Sequence, residues 1–171
     1  MARKKAKKPA AKKRPAAKKA AKGAAPRKQA PAVLKDGRPG RMWWPGLSAY
    51  MTVRDGQASI EFYARAFGFE AYGEVMRGDD GHVQHASMRL GEAAIMFGPQ
   101  EGSMGLTPPS AGAPDSLTLY VYVPDVDQVA ARAQRAGATV VQPPADQFWR
   151  DRTAVFKDAD GYHWTFATHL G

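Results

Sequence analysis

Cysteine is absent from the 171 residues, which removes both a disulfide framework and any thiolate metal site. No apolar run approaches the ~20 residues that a membrane-spanning helix needs. The basic N-terminus is not followed by the apolar stretch of a secretion signal. Together these absences predict a cytoplasmic protein with no membrane partner. Acidic residues are almost missing from positions 1–40, where about 15 Lys and Arg stand against Asp36 alone. Met1 and the prolines apart, no apolar side chain larger than alanine occurs there before Val33. The formal net charge of +9 therefore describes two unlike parts. From Arg41 onward about 10 basic side chains meet about 15 acidic ones, so the remainder is mildly acidic.

Segment 1–40 is built from Ala, Lys, Arg and Pro, and Pro9-Ala-Ala-Lys-Lys13 recurs as Pro15-Ala-Ala-Lys-Lys19. A stretch with so little to bury cannot offset the entropy of ordering, so it is expected to be disordered. Pro9, Pro15, Pro26 and Pro31 interrupt the helix that Ala and Lys would favour. Its composition resembles the tails of linker histones and of some bacterial histone-like proteins. Cations placed on phosphates release counterions and give salt-sensitive, sequence-independent binding. Lys4, Lys5, Lys7, Lys8, Lys12, Lys13, Arg14, Lys18, Lys19 and Lys22 are the residues expected to carry such contact with nucleic acid or another polyanion. A solubilising extension is the plainer alternative. The run Lys13–Lys19 also looks like half of a nuclear import signal, which matters only in a eukaryote.

The rest of the chain, 41–171, repeats itself. Ser48–Val53 alternates as a strand does, and Asp55 then opens a helical run of Ile60, Tyr63, Ala64 and Phe67 that Gly68 closes. Leu117–Val123 alternates in the same way, and Asp125 opens Val126, Val129, Ala130 and Ala133, closed by Gly137. Strands are predicted over Phe69–Met76, His82–Leu90 and Ala93–Phe97 in the first half. In the second they are predicted over Thr139–Gln142, Arg150–Lys157 and His163–Thr168. Turns fall at Gly91-Glu92 and Asp158–Gly161. The fold class is α+β, two βαβββ repeats over about 48–98 and 117–169, offset by about 70 residues.

Three stretches carry a family resemblance: Ile60-Glu-Phe-Tyr-Ala-Arg-Ala-Phe-Gly68, Ala136-Gly-Ala138 before a strand, and Asp158-Ala-Asp-Gly-Tyr-His-Trp164. They resemble the vicinal oxygen chelate superfamily of glyoxalases, extradiol dioxygenases and bleomycin- and fosfomycin-resistance proteins. Asp146–Arg152 and Ala167-Thr-His169 are similar to its PhnB-like glyoxalase/bleomycin-resistance branch. The resemblance implies two curved four-stranded mixed sheets forming a cleft, helices outside them, and a homodimer.

Strand alternation assigns the faces. Met51, Val53, Leu119, Val121, Val123, Ile95, Phe97, Trp164 and Phe166 should form the core. Ser48, Tyr50, Thr52, Thr118, Tyr120, Tyr122, Ala94, Met96, His163 and Thr165 should face the cleft. Metal-dependent relatives place a ligand on each of four strands, and the matching positions here are Ser48, Met96, Thr118 and Thr165. Those side chains are poor donors for Zn²⁺, Fe²⁺ or Mn²⁺, so no metal or other cofactor is expected. A metal site relocated to His85 and His163 would have two ligands and no acidic partner. Pro143–Arg152 reads either as a polar, aromatic loop in which Trp149 closes over a flat ligand and Arg152 anchors an anion, or as a structural corner in which Trp149 fills the sheet edge and Arg152 pairs with Asp151 or Asp146. By the internal symmetry Arg152 should lie opposite His85. Gly98–Pro114 reads as a linker that covers the cleft mouth, and Trp43-Trp44 should pack against the domain or a dimer partner.

The expected ligand-binding residues are thus Tyr50, His85, Met96, Thr118, Tyr120, Tyr122, Trp149, Arg152 and His163. Three functions compete. The first is metal-independent sequestration of a small aromatic or cationic compound, as in bleomycin resistance, with polyanion association by the tail. The second is a lyase or dioxygenase with an altered metal site. The third is a nucleoid-associated interaction protein whose dimeric domain presents two polycations.

Overall fold

The computed structural model describes residues 45–100, 105–110 and 116–171. The expectations for segment 1–40 and for Trp43 and Trp44 lie outside these residues, as does the role given to much of the 98–114 bridge.

The first half runs β1 (Ala49–Val53), α1 (Gly56–Phe62), a π-helical turn (Tyr63–Phe67), β2 (Glu70–Ala71), β3 (Met76–Arg77), β4 (Val83–Leu90) and β5 (Ala93–Pro99). The second runs β6 (Thr118–Tyr122), α2 (Val126–Arg135), β7 (Thr139–Asp146), β8 (Asp151–Lys157) and β9 (His163–His169). The helix starts follow from capping: the Asp55 carboxylate accepts from the Gln57 and Ala58 N–H groups, and Asp125 accepts from Gln128. In both halves a left-handed glycine ends the helical run, Gly68 at φ 84° and Gly137 at φ 89°.

Two mixed sheets result, ordered β1-β5-β4-β2 (with β3 also on β4) and β6-β9-β8-β7. In each, the opening strand pairs parallel with the closing one, Tyr50 beside Met96 and Tyr120 beside Thr165. The repeat and the fold class predicted from periodicity are what forms. The predicted strand Phe69–Met76 is instead two short pieces separated by Gly73, at φ 84°, and the ladder shifts register between Met76 and Arg77. The Pro143-Pro144 pair, expected in a loop, belongs to β7. That strand lies at a sheet edge and is bulged between Val140 and Ala145, so the missing proline N–H groups cost no ladder bonds there.

One hydrophobic core serves both halves. Tyr63 and Phe67 from the first meet Trp164 and Phe166 from the second, with Phe67 4.8 Å from Phe166 and Tyr63 5.4 Å from Trp164, centroid to centroid. Met51, Val53, Val121, Val123, Ile95 and Phe97 are buried as the alternation predicts, and Leu119 packs partly buried against them. Arg132 on α2 donates to the Ala66 and Phe67 carbonyls, the open end of the π-helical turn. Gly68 makes this possible, since a Cβ there would lie 2.8 Å from the guanidinium.

The turn before β9 fastens the halves further. Buried Asp158 accepts from the Tyr63 hydroxyl and the Trp164 indole N–H, at 2.9 and 2.8 Å. Asp160 accepts from the Arg54 backbone and guanidinium. The Tyr162 hydroxyl accepts from the Thr52 N–H at 3.0 Å and donates to the Thr52 carbonyl at 2.9 Å. One phenol thereby satisfies both backbone groups of a residue on the outer side of β1, which is an edge strand. Among the described residues no helix is long and apolar enough to cross a membrane.

Candidate functional site

With the core on one side of each sheet, the opposite side presents the residues expected to face a cleft. They gather into two clusters.

On the first sheet the ladder aligns Tyr50, Met96 and Ser87 in a row. Tyr50 stacks on His85 at 6.0 Å, and His85 Nε2 lies 3.2 Å from the Ser87 hydroxyl. Gly98 leaves room for this arrangement, because a Cβ would come within 2.9 Å of the Tyr50 hydroxyl. Tyr50, His85 and Met96 are all half-buried.

On the second sheet Thr118 and Thr165 hydrogen-bond each other at 2.9 Å, and half-buried His163 stands beside Thr118 in the ladder. Tyr120 and Tyr122 are 42% and 63% exposed, with ring centroids 5.4 Å apart. Both hydroxyls donate to one oxygen of Asp151, each at 2.9 Å. The other oxygen lies 3.0 Å from His169 Nδ1. The carboxylate is only 2% exposed beneath these rings. Its hydrogen bond from His169, aided by those of Tyr122 and Tyr120, holds its pKa below the usual aspartate range against the opposing effect of burial. Tyr122 is raised chiefly by its bond to Asp151, and Tyr120 chiefly by partial burial. Trp149 lies close enough to Tyr120 to temper that rise.

Trp149 belongs to a tight hairpin turn, Gln147–Arg150, closed by the Arg150 N–H donating to the Gln147 carbonyl. Phe148 at its tip is 94% exposed and packs edge-on to Trp149 at 4.8 Å. Arg150 adopts φ 69°, the left-handed region that hairpins of this kind normally give to glycine.

Arg152 does not face the cleft as a ligand anchor; it takes the structural alternative, an ion pair with Asp146, and adds one with Asp127. Its guanidinium forks between Asp127 on α2 and Asp146 on β7, at 2.7–2.9 Å. These carboxylates push its pKa up, and it depresses that of Asp127 in return. The reason is parity: Ala154 and Phe156 are core residues, so Arg152 shares their side of β8. Ser87 pairs with Met96 and Val155 pairs with Thr165, so the counterpart of His85 is Thr153. Asp151, His169 and Phe148 were not among the expected site residues. The same odd-numbered parity on β8 and β9 would have found the first two.

Among the described residues no group of three or more His, Asp or Glu is placed to hold a metal ion. At the four positions where metal-dependent relatives carry ligands, two hydroxyls are spent on each other and a thioether and a serine complete the set. This donor set does not fit a divalent transition metal. Two depressions, about 270 and 130 Å³, are lined by none of the residues of these two clusters.

Residues 47–166 match the model of the Glyoxalase/Bleomycin resistance protein/Dioxygenase superfamily. The chain belongs to that superfamily. An uncharacterized protein of Mycobacterium bovis is 39% identical over 125 residues, spanning 71% of this chain and 81% of the relative. An uncharacterized protein of Mycobacterium tuberculosis is likewise 39% identical, over 71% and 72% of the two chains. Among solved structures, TioX from Micromonospora sp. ML1 aligns at a TM-score of 0.56 and 28% identity, covering 73% of this chain and 100% of that one. A glyoxalase/bleomycin resistance protein/dioxygenase family enzyme from Burkholderia phytofirmans shares the fold, with a TM-score of 0.59, 24% identity, and coverage of 72% and 97%. Superfamily membership accounts for the paired repeats and leaves the reaction or ligand to be read from the site.

Proposed function

We propose that the domain binds and sequesters a small aromatic or cationic molecule without metal chemistry, and that the basic N-terminal segment associates with nucleic acid or another polyanion. The observation that carries the first part is the pairing of Tyr120 and Tyr122 over Asp151, with Trp149 alongside. Aromatic faces left open to solvent around a fixed polar anchor make a ligand surface. Tyr50, His85 and Met96 on the first sheet, and Thr118 and His163 on the second, supply further contact surface in this reading. Arg152 has no part in it, being committed to Asp127 and Asp146. A homodimer, as the family resemblance implies, would bring two such faces into one particle.

Thermal-shift screening of the purified protein against flat aromatic and cationic compounds tests the proposal, since a ligand that binds only the folded state raises its melting temperature by mass action. Metal analysis of the same preparation tests the lyase or dioxygenase alternative. Stoichiometric iron, zinc or nickel, with activity lost on chelation, would replace sequestration with catalysis.

A further inference from the structure

We propose that the Asp151 cluster selects organic cations, specifically flat or quaternary ones, over neutral aromatics of the same shape. This rests on the small-molecule reading above and names the ligand class for that site, with Asp151 as its anchor and the rings of Tyr120, Tyr122 and Trp149 as its walls.

Three observations support it. First, the carboxylate is buried, and among the described residues no lysine or arginine pairs with it. Its partners are two phenols and the exposed His169. The two phenols are neutral donors that solvate a negative charge without cancelling it, which keeps the potential above their rings negative. Second, each phenol donates its proton to that carboxylate. Electron density is thereby pushed into the ring, and the ring face becomes a better host for a cation. Third, the rings stand tilted by 56° to one another with Trp149 beside them, and all three are between 42% and 63% exposed. They form the open wall of a cage rather than a filled core. Arg150, next to Asp151, uses its carbonyl to hold Leu170 N–H and makes no ion pair with Asp151.

Titration calorimetry of the full chain with N-methylquinolinium and with quinoline, at pH 8 where quinoline is neutral, compares two probes alike in shape and unlike in charge. The expected result is that the cation binds at least about tenfold more tightly. Asp151→Asn should erase that preference, bringing the two affinities together. Tyr122→Phe, which keeps the ring and removes one donor, should reduce the preference in part, and it serves if Asp151→Asn fails to fold. Equal binding of both probes would overturn the charge selection and leave an aromatic-binding site standing. Binding of neither would overturn the site altogether. If hydroxyl-radical footprinting shows Tyr122 and Trp149 protected by rising protein concentration and not by the cation, a second copy of the chain occupies the face and the proposal fails.

Discussion

Arg150 and Asp151, adjacent in sequence, solve opposite problems. Arg150 sits in left-handed backbone where an L side chain costs about 1–2 kcal/mol. Arg150→Gly is therefore expected to raise stability by about 1 kcal/mol in chemical denaturation, with no change in denaturant sensitivity. Asp151 has its folded pKa depressed, chiefly by His169. Its contribution is present above the unfolded carboxylate pKa and is lost as pH falls through the lower, folded value. Asp151→Asn should accordingly flatten the acid limb of a stability-versus-pH curve, and it should also weaken the alkaline limb, because the raised pKa of Tyr122 depends on that carboxylate. Asp158 runs the other way. Burial raises its pKa, so the stability it confers is present below its unfolded pKa and lost as pH rises through the raised one. Even so, removing it is costly: Asp158→Ala strands a buried tyrosine hydroxyl and an indole N–H, and should lower stability by about 3 kcal/mol in urea unfolding, with Asp158→Asn milder.

At the scale of elements, β7 is the least anchored strand. It lies at an edge, carries two register shifts, and nearly all of its residues are exposed. The Arg152 fork ties its end to α2. Arg152→Gln should quicken amide hydrogen exchange in β7 and the first turn of α2 while leaving β9 protected, as local opening would predict. The elements themselves were largely legible in the sequence. Acid-capped, glycine-closed helical runs and alternating strands gave both repeats, because each rests on local backbone chemistry. What escaped was set by pairing. The break of Phe69–Met76 into β2 and β3 depends on which residues of β4 lie across from it. The strand character of Pro143-Pro144 depends on β7 being an edge. Arg152 was set on the cleft side by a repeat register one residue out, opposite His85 where Thr153 belongs, whereas its neighbours Ala154 and Phe156 already fixed the parity. The parity of β8 and β9 puts Asp151 and His169 on the cleft side, but that they meet is decided by the β8–β9 register.

At the scale of the molecule, a mildly acidic domain is joined to a strongly basic segment. If that segment binds polyanions, the affinity of the full chain for duplex DNA should fall steeply with salt, by about 0.9 in log–log slope for each phosphate neutralised. A chain beginning at Arg41 should lose most of that binding. Equal affinity and slope for the two, in fluorescence anisotropy, would count against the assignment. The seam between the halves has a consequence for how the chain is made. The Thr52 backbone is completed by Tyr162, 110 residues later. At ribosomal speeds of about 5–20 residues per second, β1 waits roughly 5–20 s for that partner. During synthesis the first repeat therefore emerges with an open strand edge and with Tyr63 and Phe67 uncovered. That interval, rather than the finished protein, is when chaperones would have most to hold.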